Sequence, residues 1–475
     1  MKIINVRLGL ATNSSSSHSI IFLPAEKSKN LTCGYDGSGY GWDYFNLQYD
    51  VHKKDYLAVS LYTQLAPEVG EDIAASIAQS WAGYRPGTMP GEGYVDHQSQ
   101  LCFPRNWDSK GLNKFFFDEF KNFILRDDIV IGGGNDNDSE EPMAITVGGT
   151  PILTAYPTES FDPWVARKDH NYWTLFNRNN GTKVRLTFEG TDFTVVPRRS
   201  SAPELVDIKI TDFCPFNCAF CYQDSTLKGQ HADLEWLNFL AYQLAKLEVF
   251  EVALGGGEPT LHPDFVEILK AFKRQGIVAN FTTKNLGWLR DETLRNKILE
   301  QTGAFAYSAQ TAAEVQELVA LLPLLSWEQK QRVTVQHVLG AVDLDEFKAV
   351  LKACDDAYLR ITLLGYKTVG RGSAFKPKLS VGWLEALKEV EGLKVGIDTV
   401  LVDTFWDELI TCVNPRLMTR YEGQFSCYID AVAKTINTSS YAEHKALNLG
   451  ASKYDMDIAK TYALLPHEVP SDVRR

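Results

Sequence analysis

Residues 214–221 read Cys-Pro-Phe-Asn-Cys-Ala-Phe-Cys and place three cysteines, Cys214, Cys218 and Cys221, at the spacing C-x3-C-x2-C. Iron–sulfur clusters are held by cysteine thiolates, normally four of them. Three thiolates on one short loop therefore predict a four-iron cluster in which one iron has no protein ligand. That open iron is able to bind a small molecule, so the spacing indicates a reaction centre as well as an electron carrier.

On spacing alone, a zinc site and a disulfide framework are the two alternative roles for these cysteines, and the spacing suits each of them less well. Structural zinc sites usually combine one C-x2-C pair with a second pair further along the chain, whereas the next cysteine here is Cys354. A disulfide framework needs thiols whose backbones can approach in pairs, and this spacing is too crowded for three thiols to pair.

A second motif lies about 35 residues downstream, where Val252-Ala-Leu-Gly-Gly-Gly-Glu-Pro259 joins an apolar run to three glycines, a carboxylate and a proline. Glycines at such a position let the backbone approach a ligand closely. The Glu258 carboxylate is able to accept from an ammonium group, and so is a glycine carbonyl. Gly-Gly-Glu-Pro alone is weak evidence, because turns often have this composition.

The two motifs, in this order and separated by a segment of helical length, resemble the radical S-adenosylmethionine (SAM) superfamily. The resemblance implies that SAM chelates the open iron, and that an electron cleaves it to a 5′-deoxyadenosyl radical, which abstracts hydrogen from a substrate. In that family the second motif grips the SAM amino group, and four residues match it: Gly256, Gly257, Glu258 and Pro259. Phe220 matches the aromatic position beside the adenine.

Strand-like and helical segments alternate after the first motif, which predicts parallel βαβ units. Strands are predicted at 206–210, 252–256, 277–283, 305–308, 333–339, 358–364 and 395–400. Helices are predicted around 234–244, 265–272, 291–301, 311–322, 343–353 and 383–391. Six or seven units result, and the resemblance implies an α/β fold built on a partial (β/α)6 TIM-like barrel. Ligands are expected at the carboxyl ends of the strands.

Several polar residues are predicted at those strand ends. Thr282, Thr283 and Asn285 resemble a Thr-Thr-Asn-Gly element of the family, which Lys284 interrupts. Ser308 stands where family members contact the SAM ribose or carboxylate, and Arg371 lies in a Gly-Arg-Gly turn common there. The resemblance therefore implies SAM contacts for Thr282, Asn285, Ser308 and Arg371. For each residue singly, the alternative is that it only caps the next helix. His337 fits a core or lining histidine better than a catalytic base.

Composition limits the class of protein. The chain has 475 residues and a net charge of −12, with 44% hydrophobic residues, which is typical of a globular protein of two or three domains. No broad basic surface is expected, so nucleic acid is not the expected partner, although a local basic groove stays open. Eight cysteines without paired spacing and the absence of a membrane-length apolar run predict a cytoplasmic protein without membrane contact.

No family resemblance is identified in residues 1–170, and residues 1–196 are predicted to form an α+β domain that recognises substrate. A helix is predicted over Leu65–Trp81, with Ile73, Ile77 and Trp81 on one face, and a hairpin over Leu175–Phe188 turning at Asn180-Gly181. The serine run within residues 10–19 is either a flexible loop or an anion-binding loop. Four polar residues form either a metal or substrate site or ordinary turns: Asp96, His97, Asp136 and Asp138. Pro197–Pro203 is the predicted linker to the barrel at 203–402.

Residues 403–475 carry a fragment of another pattern. Cys412, Gly423 and Cys427 resemble the opening of a SPASM or twitch extension, which holds auxiliary clusters in many peptide-modifying radical SAM enzymes. Two thiolates rarely hold a cluster, and no cysteine follows Cys427. We therefore expect buried structural thiols on a small twitch-like cap, and one cluster in the whole chain.

The function that these observations predict is reductive cleavage of SAM at one 4Fe-4S cluster, with a peptide or protein as substrate and flavodoxin or ferredoxin as electron donor. A nucleotide, nucleic acid or small-molecule substrate is the alternative within the family. A non-catalytic sensor or partner that binds iron–sulfur and SAM is the alternative of another class.

Overall fold

The computed structural model describes residues 3–7, 40, 45–47, 49–83, 121–125, 129–133, 143–147, 150–155, 164–169, 172–187, 199–378, 382–390, 393–411, 418–442, 445–450 and 455–466. The chain divides into two compact units. One contains most of the residues before Thr191, and the other contains Asp192–Arg475 with the short segment Arg178–Lys183.

The N-terminal unit combines two four-stranded sheets, ordered β1-β8-β7-β6 and β2-β3-β4-β5, with helices. Neighbours β2 to β5 are antiparallel, and so are β6 and β7. The strands are β1 Ile3–Arg7, β2 Phe45–Leu47, β3 Ile129–Gly133, β4 Met143–Val147, β5 Thr150–Ala155, β6 Trp164–Lys168, β7 Tyr172–Asn177 and β8 Lys183–Thr187. The helices are α1 Asp50–Val69, α2 Glu71–Ala82 and α3 Lys121–Ile124.

The helix predicted over Leu65–Trp81 is wrong in its bounds, and of the face predicted to hold Ile73, Ile77 and Trp81 only Trp81 is buried. Gly70, at φ 86°, ends α1 and begins α2. Ile73 is 57% exposed, whereas Ala74 and Ala78 are buried. A helix face of small side chains allows a closer approach to a neighbouring helix. The alanine face is therefore buried, and the larger isoleucines stay exposed.

The hairpin predicted around Asn180-Gly181 is confirmed, since β7 and β8 are neighbours in one sheet. Gly181 adopts φ 74°, a left-handed conformation that suits glycine. The Asn180 side chain accepts from the backbone N–H of Thr182 at 2.9 Å. The serine run and the residues Asp96, His97, Asp136 and Asp138 lie outside the described part of the chain.

The second unit contains a ten-stranded sheet in the order β15-β14-β13-β12-β11-β10-β9-β16-β17-β18. Strands β9 to β15 pair with their sequence neighbours in parallel, which confirms the seven predicted strands. They are β9 Leu205–Thr211, β10 Glu251–Gly256, β11 Val278–Thr283, β12 Phe305–Ser308, β13 Val333–Val338, β14 Arg360–Leu364 and β15 Val395–Ile397. The helices along them are α4 Leu234–Lys246, α5 Phe265–Arg274, α6 Gly287–Arg290, α7 Glu292–Gln301, α8 Ala312–Val319, α9 Trp327–Lys330, α10 Leu344–Asp356, α11 Trp383–Lys388, α12 Thr399–Thr404 and α13 Trp406–Leu409.

The two faces of this sheet differ in polarity. On β9, Val206, Ile208 and Ile210 join the apolar core that the helices cover. Successive side chains on a strand point to opposite faces, so Asp207 and Lys209 point to the interior of the partial barrel. The helix-covered face therefore stabilises the fold, and the polar interior face is available for ligands.

The seventh strand is shorter than predicted. Residues 395–400 were expected to be extended, but β15 ends at Ile397. Asp398 then caps α12 by accepting from the backbone N–H of Leu401 at 2.9 Å. An N-terminal aspartate cap of this kind stabilises a helix. Here the cap outweighs the strand propensity of the β-branched residues that follow.

The C-terminal segment continues the barrel sheet. The strand predicted at 426–430 is confirmed as β16, Ser426–Asp430, and it pairs in parallel with β9. Strands β17, Thr435–Asn437, and β18, Leu447–Asn448, extend the sheet in antiparallel fashion. Helix α14, Ile458–Leu464, follows.

The segment predicted as a linker is packed where the structure describes it. The Arg199 guanidinium lies 3.6 Å from the Tyr462 ring centroid and donates to Leu465 and Tyr462 carbonyl oxygens. Ser200 donates its backbone N–H to Gln424 at 3.0 Å. Among the described residues, no helix is long and apolar enough to cross a membrane.

Candidate iron–sulfur and SAM site

The three-cysteine loop joins the carboxyl end of β9 to α4, whose N-cap is Asp233. Backbone hydrogen bonds close the base of this loop, from Cys214 N–H to Thr226 O at 3.0 Å and from Asp212 N–H to Gln230 O at 2.8 Å. All three thiols are half-buried and free. The loop therefore presents three unbridged thiols at the carboxyl ends of the barrel strands.

The second motif fixes this loop from the neighbouring strand. Gly257 donates its N–H to Thr211 O at 2.7 Å, and Glu258 donates its N–H to Phe213 O at 2.8 Å. A Cβ on Gly257 would lie 2.1 Å from Phe213 O, and one on Gly256 would lie 2.3 Å from Thr211 O. The sequence predicted that these glycines allow close approach of a ligand. In the structure they allow close approach of the cysteine loop.

The Glu258 carboxylate is occupied by protein donors. Its Oε1 accepts from Thr260 N–H at 3.2 Å, from Thr260 Oγ1 at 2.6 Å and from Thr283 Oγ1 at 2.7 Å. Its Oε2 accepts from the backbone N–H of Lys284 at 2.8 Å. Burial raises the pKa of Glu258, although these hydrogen bonds oppose the rise. Glu258 therefore ties the end of β10 to the end of β11. Pro259 follows it at the first position of a 3-10 turn, where proline is favourable.

The predicted Thr-Thr-Asn element is likewise engaged with the second motif. Asn285 Nδ2 donates to Thr260 Oγ1 at 3.0 Å, and Asn285 Oδ1 accepts from Gly287 N–H at 2.9 Å. The Asn285 side chain therefore supports the turn after Glu258. Thr282 is half-buried on the interior face of β11.

Lys284, which departs from the family element, forms an ion pair across the strand ends. Its Nζ lies 2.5 Å from Glu314 Oε1 and donates to the Ser308 carbonyl oxygen at 3.4 Å. Lys284 also acts electrostatically on Cys218, where it opposes the effect of burial on the thiol pKa. Lys284 thus joins the ends of β11 and β12 and places a positive charge that acts on Cys218, an arrangement that the sequence did not predict.

Arg371 binds the backbone of the cysteine loop. Its Nε donates to Cys218 O at 3.1 Å, its Nη1 donates to Ser225 O at 3.1 Å, and its backbone N–H donates to Cys221 O at 3.0 Å. Nη1 also pairs with Asp224 Oδ1 at 2.9 Å. These contacts favour a positioning role for Arg371 over the SAM contact implied by the resemblance.

Phe220 lies between two of the cysteines and packs edge-on against Phe375, with ring centroids 5.9 Å apart. Phe375 also contacts Tyr366, whose ring centroid is 5.6 Å away. An aromatic group thus borders the cysteine loop on the side of the Gly-Arg-Gly turn. Such rings offer flat apolar faces suited to a nucleobase.

The donor set fits an iron–sulfur cluster. Burial raises the pKa of the Cys214 and Cys218 thiols, so iron binding would displace their protons. Among the described residues, no three histidine, cysteine, aspartate or glutamate side chains converge on a position for one metal ion. A four-iron cluster needs no such convergence, because each thiolate binds a different iron. The half-buried, unbridged thiols on one loop suit that arrangement better than a single zinc ion.

The other described cysteines lie in the apolar core. Cys427 is buried on the helix-covered face of β16, and Cys354 is buried on α10. Burial raises the pKa of Cys354 to about 12 and also raises that of Cys427. The prediction that Cys427 is a buried structural thiol is confirmed, while Cys412 lies outside the described residues.

Comparison with known proteins agrees with this geometry. Residues 208–366 match the model of the Radical SAM superfamily. PqqA peptide cyclase from Methylorubrum populi is 29% identical over 232 residues, which cover 43% of this chain and 59% of that protein. The Methylorubrum extorquens protein of the same name is 29% identical over 241 residues, covering 43% of this chain and 61% of that protein. This chain thus spans about three fifths of the length of these relatives.

Among solved structures, Streptococcus suis SuiB superposes with a TM-score of 0.48 at 12% sequence identity, covering 63% of this chain and 87% of that chain. The matched span of the family model begins in β9, contains the three-cysteine loop and the Gly-Gly-Glu-Pro motif, and ends just after β14. Residues 208–366 are a radical SAM domain.

Proposed function

We propose that this chain is a radical SAM enzyme that modifies a peptide. The observation that carries the chemistry is the three-cysteine loop, whose half-buried thiols stand at the carboxyl end of β9 and whose backbone is bonded to Gly257 and Glu258 of the neighbouring strand. A sensor that only carries electrons would not need the backbone site for the SAM ammonium that we assign to this second motif.

The three thiolates would hold a 4Fe-4S cluster, which with bound SAM supplies a 5′-deoxyadenosyl radical by one-electron cleavage of the sulfonium. Because four protein donors already occupy Glu258, we assign the SAM ammonium to the backbone of Gly256 and Gly257. Glu258, Pro259 and Asn285 hold that backbone in place. In such enzymes the cofactor performs the difficult chemistry, while the protein binds, aligns and excludes water.

The remaining site residues receive supporting roles in this proposal. Phe220 borders the adenine, and Thr282 and Ser308 line the interior strand ends that face SAM. Arg371 and Gly370 hold the cysteine loop, since a Cβ on Gly370 would lie 2.4 Å from Tyr222 O. An external one-electron donor of the flavodoxin or ferredoxin type would reduce the cluster.

The peptide substrate is proposed from the names of the relatives, which are peptide cyclases. The polar interior face of the barrel agrees with a substrate that brings hydrogen-bonding groups. Residues 1–196 are proposed to recognise the rest of a large substrate, and residues 403–475 to complete the barrel sheet.

The test is anaerobic reconstitution with iron and sulfide, followed by incubation with SAM and dithionite and quantification of 5′-deoxyadenosine. Peptides encoded beside the gene are added and examined by mass spectrometry. We expect 5′-deoxyadenosine from the parent protein, its loss in Cys218→Ala, and its retention in the matched core variant Cys354→Ala. A fully loaded protein that makes no 5′-deoxyadenosine with or without peptide would overturn the proposal.

A further inference from the structure

We propose that Asp207, inside the barrel, binds a cationic group of the substrate, such as the ammonium of a lysine side chain. This inference rests on the proposed function, because it specifies the chemistry of the peptide that the enzyme modifies.

Asp207 is a buried carboxyl group with an unsatisfied oxygen. It lies on the interior face of β9, is 2% exposed, and its Oδ1 has no hydrogen-bond donor. It forms no ion pair with any residue in the described part of the chain. Burial of a polar atom without a hydrogen bond is costly, so each such atom in a folded protein requires an explanation. A ligand that supplies the missing hydrogen-bond donor would be such an explanation.

The neighbouring interior acid shows the contrast. Glu251 of β10 is also fully buried, but its Oε2 accepts from Asn280 Nδ2 at 3.1 Å. Asn280 in turn accepts from the backbone N–H of Ala304 at 3.0 Å. Glu251 thus belongs to a completed network, whereas Asp207 does not.

The side chain of Tyr428, which lies beside Asp207 in the sheet, contacts the cysteine loop. The sheet register places Asp207 between Ala253 of β10 and Tyr428 of β16. Tyr428 Oη lies 3.3 Å from Gln223 Nε2, and Gln223 is two residues beyond Cys221. A substrate group at Asp207 would therefore occupy the interior next to the loop that holds the reactive centre.

The charges around Asp207 favour a cation as ligand. Glu251 and Glu422 act on it with like charge, and Lys367 acts with opposite charge. Burial, with help from Glu422, raises the pKa of Asp207 well above its ordinary value. Two glutamates and one lysine therefore act on Asp207, and a cation bound beside it would offset the like charge of the glutamates.

Lys367 packs against two aromatic rings. Its Nζ lies 4.2 Å from the Tyr222 ring centroid and 4.8 Å from the Tyr441 ring centroid, distances at which a cation is attracted to an aromatic face. Tyr441 Oη donates to Glu422 at 2.7 Å. Lys367 therefore leaves Asp207 without a direct ion pair.

The experiment measures binding of small probes to the reconstituted full-length protein with SAM, by saturation-transfer NMR, without reduction. The probes are N-acetyl-lysine N-methylamide, its uncharged norleucine counterpart and the corresponding glutamate amide. We expect the lysine probe to bind at least about tenfold more tightly than the norleucine probe, because a charge-assisted hydrogen bond to a buried acid is strong. Equal binding, no binding, or preference for the glutamate probe would overturn the proposal.

Variants assign the binding to this residue. Asp207→Asn keeps the shape, removes the charge and should weaken the lysine probe by about tenfold. Lys367→Met removes the competing ammonium and should strengthen it, which provides a second test if Asp207→Asn does not fold. The exposed Asp345→Asn is the matched control and should change nothing. Iron content and circular dichroism monitor folding, and a folded Asp207→Asn that binds the lysine probe as the parent does would contradict the assignment.

Failure here is distinguishable from failure of the proposed function. The probe experiment requires no SAM cleavage, so 5′-deoxyadenosine formation without lysine selectivity would reject only the role of Asp207. Lysine selectivity without 5′-deoxyadenosine would reject only the radical reaction.

Discussion

The guanidinium of Arg371 donates from Nε to the carbonyl oxygen of Cys218 across 3.1 Å. This bond joins the turn after β14 to the centre of the cysteine loop, more than 150 residues earlier in the sequence. The thiol loop is therefore positioned from two sides, by the β10 glycines on one and by Arg371 on the other.

Replacement of Arg371 by methionine should loosen the cysteine loop without removing a thiol. The loss of its hydrogen bonds to Cys218 and Ser225 costs about 2 kcal/mol, so iron loss to a chelator should accelerate by at least about tenfold. Arg371→Lys should restore part of the retention, and the cluster's electron paramagnetic resonance (EPR) line shape should broaden in Arg371→Met. Unchanged iron retention in Arg371→Met would remove the positioning role.

Asp224→Asn provides the matched comparison. It removes the ion pair with Arg371, in which the Asp224 side chain is 64% exposed, and exposed pairs contribute about 1 kcal/mol or less. Iron loss should change by less than about fivefold. An effect as large as that of Arg371→Met would show that the ion pair, rather than the bonds to the loop backbone, holds the loop.

Gly257→Ala should disrupt the contact between the two motifs. The added methyl group would lie 2.1 Å from the Phe213 carbonyl oxygen, so the loop backbone has to move, and we expect iron per chain to fall by about half or more. Gly83→Ala is the control for backbone strain in general, since Gly83 adopts φ 73° but a Cβ there meets nothing within 4 Å. Its iron loading should equal that of the parent. Full iron loading of Gly257→Ala would contradict the close approach.

Much of the barrel followed from local pattern. The strand at Phe305–Ser308 was predicted with its observed bounds, because a buried parallel strand is apolar and is flanked by helical periodicity. Local pattern did not locate the break at Gly70 or the cap at Asp398. At those two positions, a backbone conformation and a side-chain hydrogen bond overrode the propensity of the surrounding residues.

The site was predictable as a set of residues but not as a set of contacts. The spacing of Cys214, Cys218 and Cys221 identified the loop. The motif around Gly257 identified the strand end that packs against this loop. Sequence reasoning assigned Glu258 and Arg371 to SAM, because it could not show that Thr283 and Cys218 lie within hydrogen-bonding distance of them. Those contacts join distant parts of the chain, so only the folded structure shows them.

One cluster per chain is expected, because Cys427 is a core residue. Iron analysis after reconstitution should give about four irons per chain. Cys427→Ala should keep that number, and Cys214→Ala should lose it. A value of about eight irons, reduced by half in Cys427→Ala, would show an auxiliary cluster instead.

His337 should make the barrel less stable in acid. It is fully buried on the helix-covered face against Phe347, and burial lowers its pKa to about 4 from an ordinary 6.5. Between these two values the unfolded chain binds a proton that the folded chain does not, so stability falls as pH decreases. The free energy of unfolding should decrease by about 2 kcal/mol from pH 7 to pH 5 through this residue.

His337→Leu should abolish that contribution. Urea unfolding of the parent and the variant at pH 7 and pH 5 isolates it, because the other titrating groups are common to both proteins. Parallel pH dependence in the two proteins would show that His337 is protonated within the fold or is not buried as described.

The central claim is that three cysteines hold a cluster whose fourth iron binds SAM. EPR of the reduced, reconstituted protein before and after SAM addition tests it most directly. The account predicts a cluster signal that shifts when SAM binds and is absent from Cys218→Ala. A fully loaded cluster whose signal stays unchanged by SAM would contradict the account.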